Sequence, residues 1–293
     1  MQTSTTALVL TPDTPIDLQM HTTLSDGTWL PAQLLDYVAN EKFGLIAITD
    51  HERVDTAAHL QHLALQKHVP LLTAAEISAS WKGQPTDVLC FGFSLESSAL
   101  HDITQDIVER QCANIREVCD NLQRKGLIAL DSLTLAELVQ KPSTQQPHEI
   151  IRLLKEQKKD ISDSAIGPIL KEAGFSLAMA DIADVVNAAH QSDGVLLIAH
   201  PGRGNGYVQF DHNLLDELRR DVPIDGLEVY YPAHTPEQAA MFLAYAEKHD
   251  LLVSSGSDSH GPQNKPIKYP ARLSRALLEH LGIQIKATNE SAS

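Results

Sequence analysis

Seven short apolar runs, most of them ending at an ionisable residue, constrain this chain more than any other feature. They read "IDLQM" (16–20), "GLIAIT" (44–49), "PLLTAAEI" (70–77), "DVLCFGF" (87–93), "VLLIAH" (195–200), "GLEVYY" (226–231) and "LLVSSGS" (251–257). Apolar runs of this length, bounded by turn residues, read as strands, and the stretches between them carry helix signals. Pro31 opens a helix that buries Leu34, Leu35 and Val38, and "TPEQ" at Thr235–Gln238 is a capping box with Pro at the first helical position. Strands alternating with helices argue for an α/β protein with a parallel sheet, and seven or more such units can close into a (β/α)7 TIM-like barrel.

One region breaks the rhythm. From about 101 to 190 the pattern is helical, with Ile103, Ile107, Ile115, Val118 and Leu122 on one face and a second capping box at "TLAE", Thr134–Glu137. "GLIAL" (126–130) is a candidate strand within it. The expected organisation is a barrel domain over 14–284, a helical insertion over 134–190 within it, and a frayed tail over 285–293.

The ionisable residues fall at the strand ends. Side chains alternate along a strand, so Asp17, Gln19 and His21 point the same way. Asp50 and His51 follow the second run, Glu76 closes the third, His200 ends "VLLIA", and Asp258 with His260 follows the last. In a barrel of parallel strands those C-terminal ends converge on one face. Taken singly, "SDG" at 25–27 is an ordinary turn and a lone histidine after a strand is ordinary core. Together, imidazoles and carboxylates from four or more strand ends would converge at a desolvation cost that a metal cluster offsets. Histidine with carboxylate and no cysteine suits Zn, Mn or Fe, and ions about 3.5–4 Å apart activate water while neutralising a phosphoryl group. Phosphate-ester hydrolysis is the chemistry that follows.

The charge balance narrows the substrate. Lys plus Arg total 23 against 38 Asp plus Glu, a formal net charge of -15, and such a field repels a duplex phosphate backbone. Any nucleic acid would be held locally, at a site. Cys112 and Cys119 are too far apart on one helix for a disulfide, so with Cys90 they suit a reducing cytoplasm, and no apolar run is long enough to span a membrane.

The segments "DLQMHTTLSDG", "AITDH", "AAEIS", "IAHPGR", "GLEVYY" and "SGSDSHGP" together resemble, in order, the motifs of the polymerase and histidinol phosphatase (PHP) metal-dependent phosphoesterases, over about residues 16–262. The resemblance implies a distorted barrel holding two or three divalent ions, Mn, Zn or Fe, at its C-terminal strand ends, and a subgroup with a helical insertion that acts on nucleotide phosphates or RNA ends. It implies that His21, Glu76 and Asp258 hold a first ion, that Glu76 and His200 hold a second, and that Asp26, His51 and His260 hold a third. Arg203 would clamp the substrate phosphate, and His200, where it is not a ligand, would serve as proton donor.

The chain also departs from that pattern. Gln19 stands where the first motif has a histidine, and an amide oxygen is a weaker ligand than imidazole. The insertion subgroup usually has a histidine about where Leu89 falls, and leucine cannot coordinate. Cys90 beside it is a ligand only if a bulge turns it, and is otherwise a buried thiol. In "QPHEIIRLL", Gln146 replaces an expected arginine, while His148 is a candidate contact to phosphate or leaving group. "HPGRGNG" (200–206) reads as a loop presenting Arg203. Two hypotheses stand: a working phosphoesterase for a small phosphorylated metabolite or nucleotide, and a retired PHP domain acting as a metal- or phosphate-binding regulatory module.

Overall fold

The computed structural model describes residue 5 and residues 8–286. Its strands, in chain order, are β1 (Val9–Leu10), β2 (Pro15–Asp17), β3 (Leu45–Ala47), β4 (Leu71–Leu72), β5 (Ala74–Trp81), β6 (Gln84–Phe91), β7 (Ala180–Asp181), β8 (Val195–Ile198), β9 (Gly226–Tyr230), β10 (Leu252–Ser255), β11 (Tyr269–Pro270) and β12 (Gln284–Ile285). The helices are α1 (Pro31–Asn40), α2 (Ala57–Gln66), α3 (Ala99–Arg124), α4 (Ser132–Gln140), α5 (Gln146–Gln157), α6 (Asp163–Glu172), α7 (Ile182–Gln191), α8 (His212–Asp221), α9 (Pro236–Lys248) and α10 (Arg275–His280).

The chain divides into two compact units, one made of residues 1–104 and 180–293, the other of Gln105–Met179. In the first, β11-β2-β3-β4 form one sheet and β10-β9-β8-β6-β5-β7 another. The pairs β2–β3, β3–β4, β8–β9 and β9–β10 are parallel, which gives a mixed α/β fold with parallel-rich sheets. Strand β6 runs antiparallel to both β5 and β8, because a two-residue turn joins it to β5 as a hairpin. The expected barrel is not a closed ladder. Single bridges, Met20 with Ser259 and His51 with Glu76, link the two sheets. The tail also differs from expectation, since Gln284 and Ile285 pair with Val9 and Leu10 and Ile285 joins the core. Residues 287–293 lie outside the described residues.

Both faces of the inner strands are apolar for a physical reason. Leu45 and Ala47 pack inward with Ile16, Leu18, Phe91 and Leu197, while Ile46 and Ile48 pack against Leu34, Leu35 and Val38 of α1. Helix α9 starts at the expected capping box, with Thr235 and Gln238 each bonding the other's backbone.

The second unit is helical around Ile115, Val118, Leu122, Ile150 and Leu154. Helix α4 is capped by Asp131, whose side chain accepts from the Thr134 N–H, rather than by Thr134 as the sequence suggested; aspartate is the stronger N-cap and comes first in the chain. "GLIAL" is no strand: Gly126, at φ +66°, ends α3, and the Leu127 N–H bonds the Leu122 carbonyl. Gln146 is fully buried, its amide donating to the Val139 and Lys141 carbonyls, so it holds helix ends together instead of meeting a substrate.

Candidate metal centre

The first histidine is placed by backbone pairing. After β2 the chain stays extended, and the His21 N–H donates to the Ser259 carbonyl at 2.9 Å. The Asp50 carboxylate then accepts from the Thr22 N–H (2.6 Å), the Thr22 hydroxyl (2.7 Å) and the Ser25 hydroxyl (2.6 Å), which folds the "SDG" turn back over the strand. Asp26 thereby comes within 3.6 Å of His21 Nδ1, 3.8 Å of His51 Nε2 and 3.4 Å of His260 Nε2. The His21 ring stacks on those of His51 and His260, with centroids 4.9 and 4.2 Å away. These four side chains form an imidazole-rich pocket.

Glu76 joins that pocket to the rest. One of its oxygens is 3.0 Å from His21 Nε2, and the other is 3.1 Å from His200 Nε2. Asp258 completes a group with His21 (3.2 Å) and Glu76. A third group unites Glu76, His200 and Asp87, a residue that sequence reasoning missed. The position expected to lack a ligand was Leu89, which lies opposite Glu76 but is buried in the apolar core. Asp87, two residues earlier on the same face, is the one that reaches the site, with Oδ2 3.9 Å from His200 Nε2. The reason is strand direction: β6 runs against both its neighbours, so its early half, not its C-terminal end, lies level with the rest of the cluster. Cys90 is a fully buried thiol that burial pushes up beyond the ordinary range.

Two of the site residues sit on left-handed backbone, His200 at φ +29° and Asp258 at φ +54°. Such positions are strained for residues with a Cβ and persist only where neighbours hold them. Glu228, fully buried and likewise missed, accepts the His200 N–H at 2.9 Å. Its burial, only partly offset by that bond, holds the carboxyl well above the usual range. Asp17 lies beneath the cluster rather than in it, accepting from the Ser257 and Ile267 N–H groups, and burial pushes it up to about 7. Gln19 is fully buried, and its amide N–H donates to Glu76 at 3.1 Å.

The cluster is strongly polarised. Burial opposes charge on His21 and His51, yet the carboxylates beside them prevail, so His21 is raised well above its usual value and His51 to about 9. Glu76 is held well below the carboxylate range despite its burial, by His51, His200 and His21. Asp87 is pushed up to about 6 by burial and by the neighbouring Glu76.

Arg203 is carried by the loop after His200. Its guanidinium reaches within 3.5 Å of His200 Nε2 and stacks over the Tyr207 ring at 4.4 Å. His234 fixes the loop, donating from Nδ1 to the Val229 carbonyl and accepting the Gly202 N–H at Nε2. A Cβ on Gly202 would fall 2.8 Å from both Gln238 and His234, so only glycine allows this approach. Tyr231 faces the site, its hydroxyl 3.5 Å from Asp258 Oδ2. His148 is exposed on α5 in the second unit.

The donor set fits divalent cations. Both ring nitrogens of His21, Nδ1 of His51 and Oε1 of Gln19 are buried without a well-directed hydrogen bond, an expensive arrangement that a cation relieves. Imidazole with carboxylate suits Zn, Mn or Fe. No family model matches the chain. It is 25% identical over 253 residues, 84% of this chain and 87% of the other, to a 3',5'-nucleoside bisphosphate phosphatase of Chromobacterium violaceum. It is likewise 25% identical over 250 residues, 84% and 90% of the two chains, to a 5'-3' exoribonuclease of Haemophilus influenzae. Both relatives are, by name, enzymes that act on phosphate esters of nucleotides or RNA. A structure of a protein from Bifidobacterium adolescentis, described as a metal-dependent phosphoesterase, shares the PHP-type fold with a TM-score of 0.73, covering 94% of this chain and 98% of that one at 23% identity. Among the described residues no helix is long and apolar enough to cross a membrane.

Proposed function

We propose that this chain is a PHP phosphoesterase that hydrolyses a phosphate ester of a nucleotide, an RNA end or another small phosphorylated metabolite, and that His21, Asp26, His51, Glu76, Asp87, His200, Asp258 and His260 hold its two or three divalent ions. The observation that carries this reading is the convergence of buried imidazoles and carboxylates at the strand ends, with imidazole nitrogens that lack a well-directed hydrogen bond. When bound, the ions neutralise phosphoryl charge and make water a nucleophile at neutral pH.

The chain's own groups supply the rest. Arg203, poised beside His200 and braced on Tyr207, offers a planar fork for two phosphoryl oxygens. Its loop is pinned through Gly202 and His234, which holds the Arg203 backbone in place. His200, beside Arg203, serves as ligand or proton donor. Loss of turnover with metal retained in His200→Ala supports the donor role, and coincident loss of both overturns it. Two features support the barrel reading and the reducing compartment: the bridges between the sheets occur where a closed barrel would need them, and the three cysteines are free.

A retired, phosphate-binding module is the second reading, favoured by the Gln19 amide, which occupies a Glu76 oxygen that a ligand histidine would leave to metal. Phosphate release from nucleoside monophosphates, 3',5'-bisphosphates, cyclic phosphates and short RNA, with Mn or Zn supplied, separates the two. Turnover abolished by Asp258→Ala establishes the hydrolase. Silence across the panel in folded, metal-loaded protein establishes the module.

A further inference from the structure

The ligand groups differ in chemistry. The pocket of His21, His51, His260 and Asp26 offers three nitrogens and one oxygen, whereas the pocket of Glu76, Asp87 and His200 offers two oxygens and one nitrogen. They meet at Glu76, and there Gln19 intervenes: its amide N–H donates to Oε2, the oxygen facing His21, while Oε1 faces His200. The amide thus ties up the oxygen that would feed the imidazole-rich side and leaves the other for the carboxylate-rich side.

Donor chemistry sorts metals. Imidazole favours Zn and Fe, whereas carboxylate sets suit harder ions such as Mn and Mg. We propose that the centre is heterometallic, with a Zn-class ion in the imidazole-rich pocket and a Mn- or Mg-class ion held by Glu76, Asp87 and His200. This rests on the metal-dependent reading above and goes beyond it, because Gln19 and Asp87 act on opposite sides of Glu76: the first occupies the oxygen that faces the imidazole-rich pocket, and the second adds an oxygen to the other pocket. Asp87 is the residue that sets the second preference. An imidazole at that position would give the pocket two nitrogens and erase most of the difference.

Zn outcompetes Mn at most sites when the two are equal, so the difference shows in exchange rather than in simple loading. The full chain is loaded with Zn, dialysed against an excess of Mn of about hundredfold, and assayed for both metals by elemental analysis, with bound Mn followed by electron paramagnetic resonance. The expected result is about one Zn retained and about one Mn gained per chain. Asp87→His is expected to keep Zn in the second pocket and lose the Mn signal, and His51→Asn to release the retained Zn without lowering bound Mn. Complete exchange, no exchange, or an Asp87→His protein with unchanged Mn uptake overturns the proposal. The wild-type exchange decides on its own where a variant fails to fold. Counting metal requires no turnover: uniform exchange in an active, chelator-sensitive enzyme sinks the split alone, and sorted metals in a silent protein sink the phosphoesterase reading alone.

Discussion

The core of the helical unit and the floor of the candidate metal centre are equally buried but differently built. Around Ile115, Val118, Ile150 and Leu154 the side chains are apolar, and the buried Gln146 amide N–H meets backbone carbonyls, while its Oε1 is left without a hydrogen bond. Around Glu76 the interior is filled with His21, Gln19, Glu228 and Asp17, several with atoms that no hydrogen bond satisfies. The first arrangement is what stability selects. The second costs stability, and its persistence is intelligible where a ligand offsets the cost.

Substitutions in the two regions are expected to separate these roles, and the largest effect tests the polar side. Asp258→Ala is expected to lower phosphate release by roughly 10²–10³-fold while leaving the melting temperature of the metal-free protein nearly unchanged. A melting temperature that collapses along with activity would break the contrast. Ile150→Ala, in the helical core, is expected to do the reverse: it costs about 2–5 kcal/mol in denaturant unfolding, with bound metal per folded chain unaltered. Arg203→Lys keeps the charge and loses the fork, so kcat/KM is expected to fall by about 10–100-fold, read in a steady-state assay with metal content as control. Gly202→Ala forces a Cβ against His234 and Gln238, and a cost of about 1–3 kcal/mol in thermal unfolding is expected, together with a raised KM as the Arg203 loop shifts. The smallest effect belongs to Asp131→Ala, which removes the α4 cap and costs about 1 kcal/mol, with no change in activity.

Much of the centre was legible in the sequence because the parallel strands obey one rule. His21, His51, His200 and Asp258 each follow a short apolar run, and strand direction carries them to the same end. Asp87 escaped because β6 is the return arm of a hairpin, a reversal signalled only by "WKGQ" at 81–84, where Lys82 and Gly83 take left-handed backbone. Glu228 escaped for a different reason: inside "GLEVYY" it reads as one polar residue in a strand, and its partner, the His200 N–H, is 28 residues away in sequence. Alternation shows which residues share a face, but not which backbone group waits opposite. The helical unit was legible as helices and not in its ends, where Asp131 and Gly126 shifted a cap and removed a strand.

The bridges between the two sheets carry one more consequence. Met20 pairs with Ser259 and His51 with Glu76, so the seams of the fold run through the residues that gather the reactive groups. Each sheet alone holds half a constellation, His21, Asp26 and His51 with the one, Glu76, Asp87 and His200 with the other. Until the seams close, the imidazole-rich pocket and the group of Glu76, Asp87 and His200 lie on separate pieces of structure.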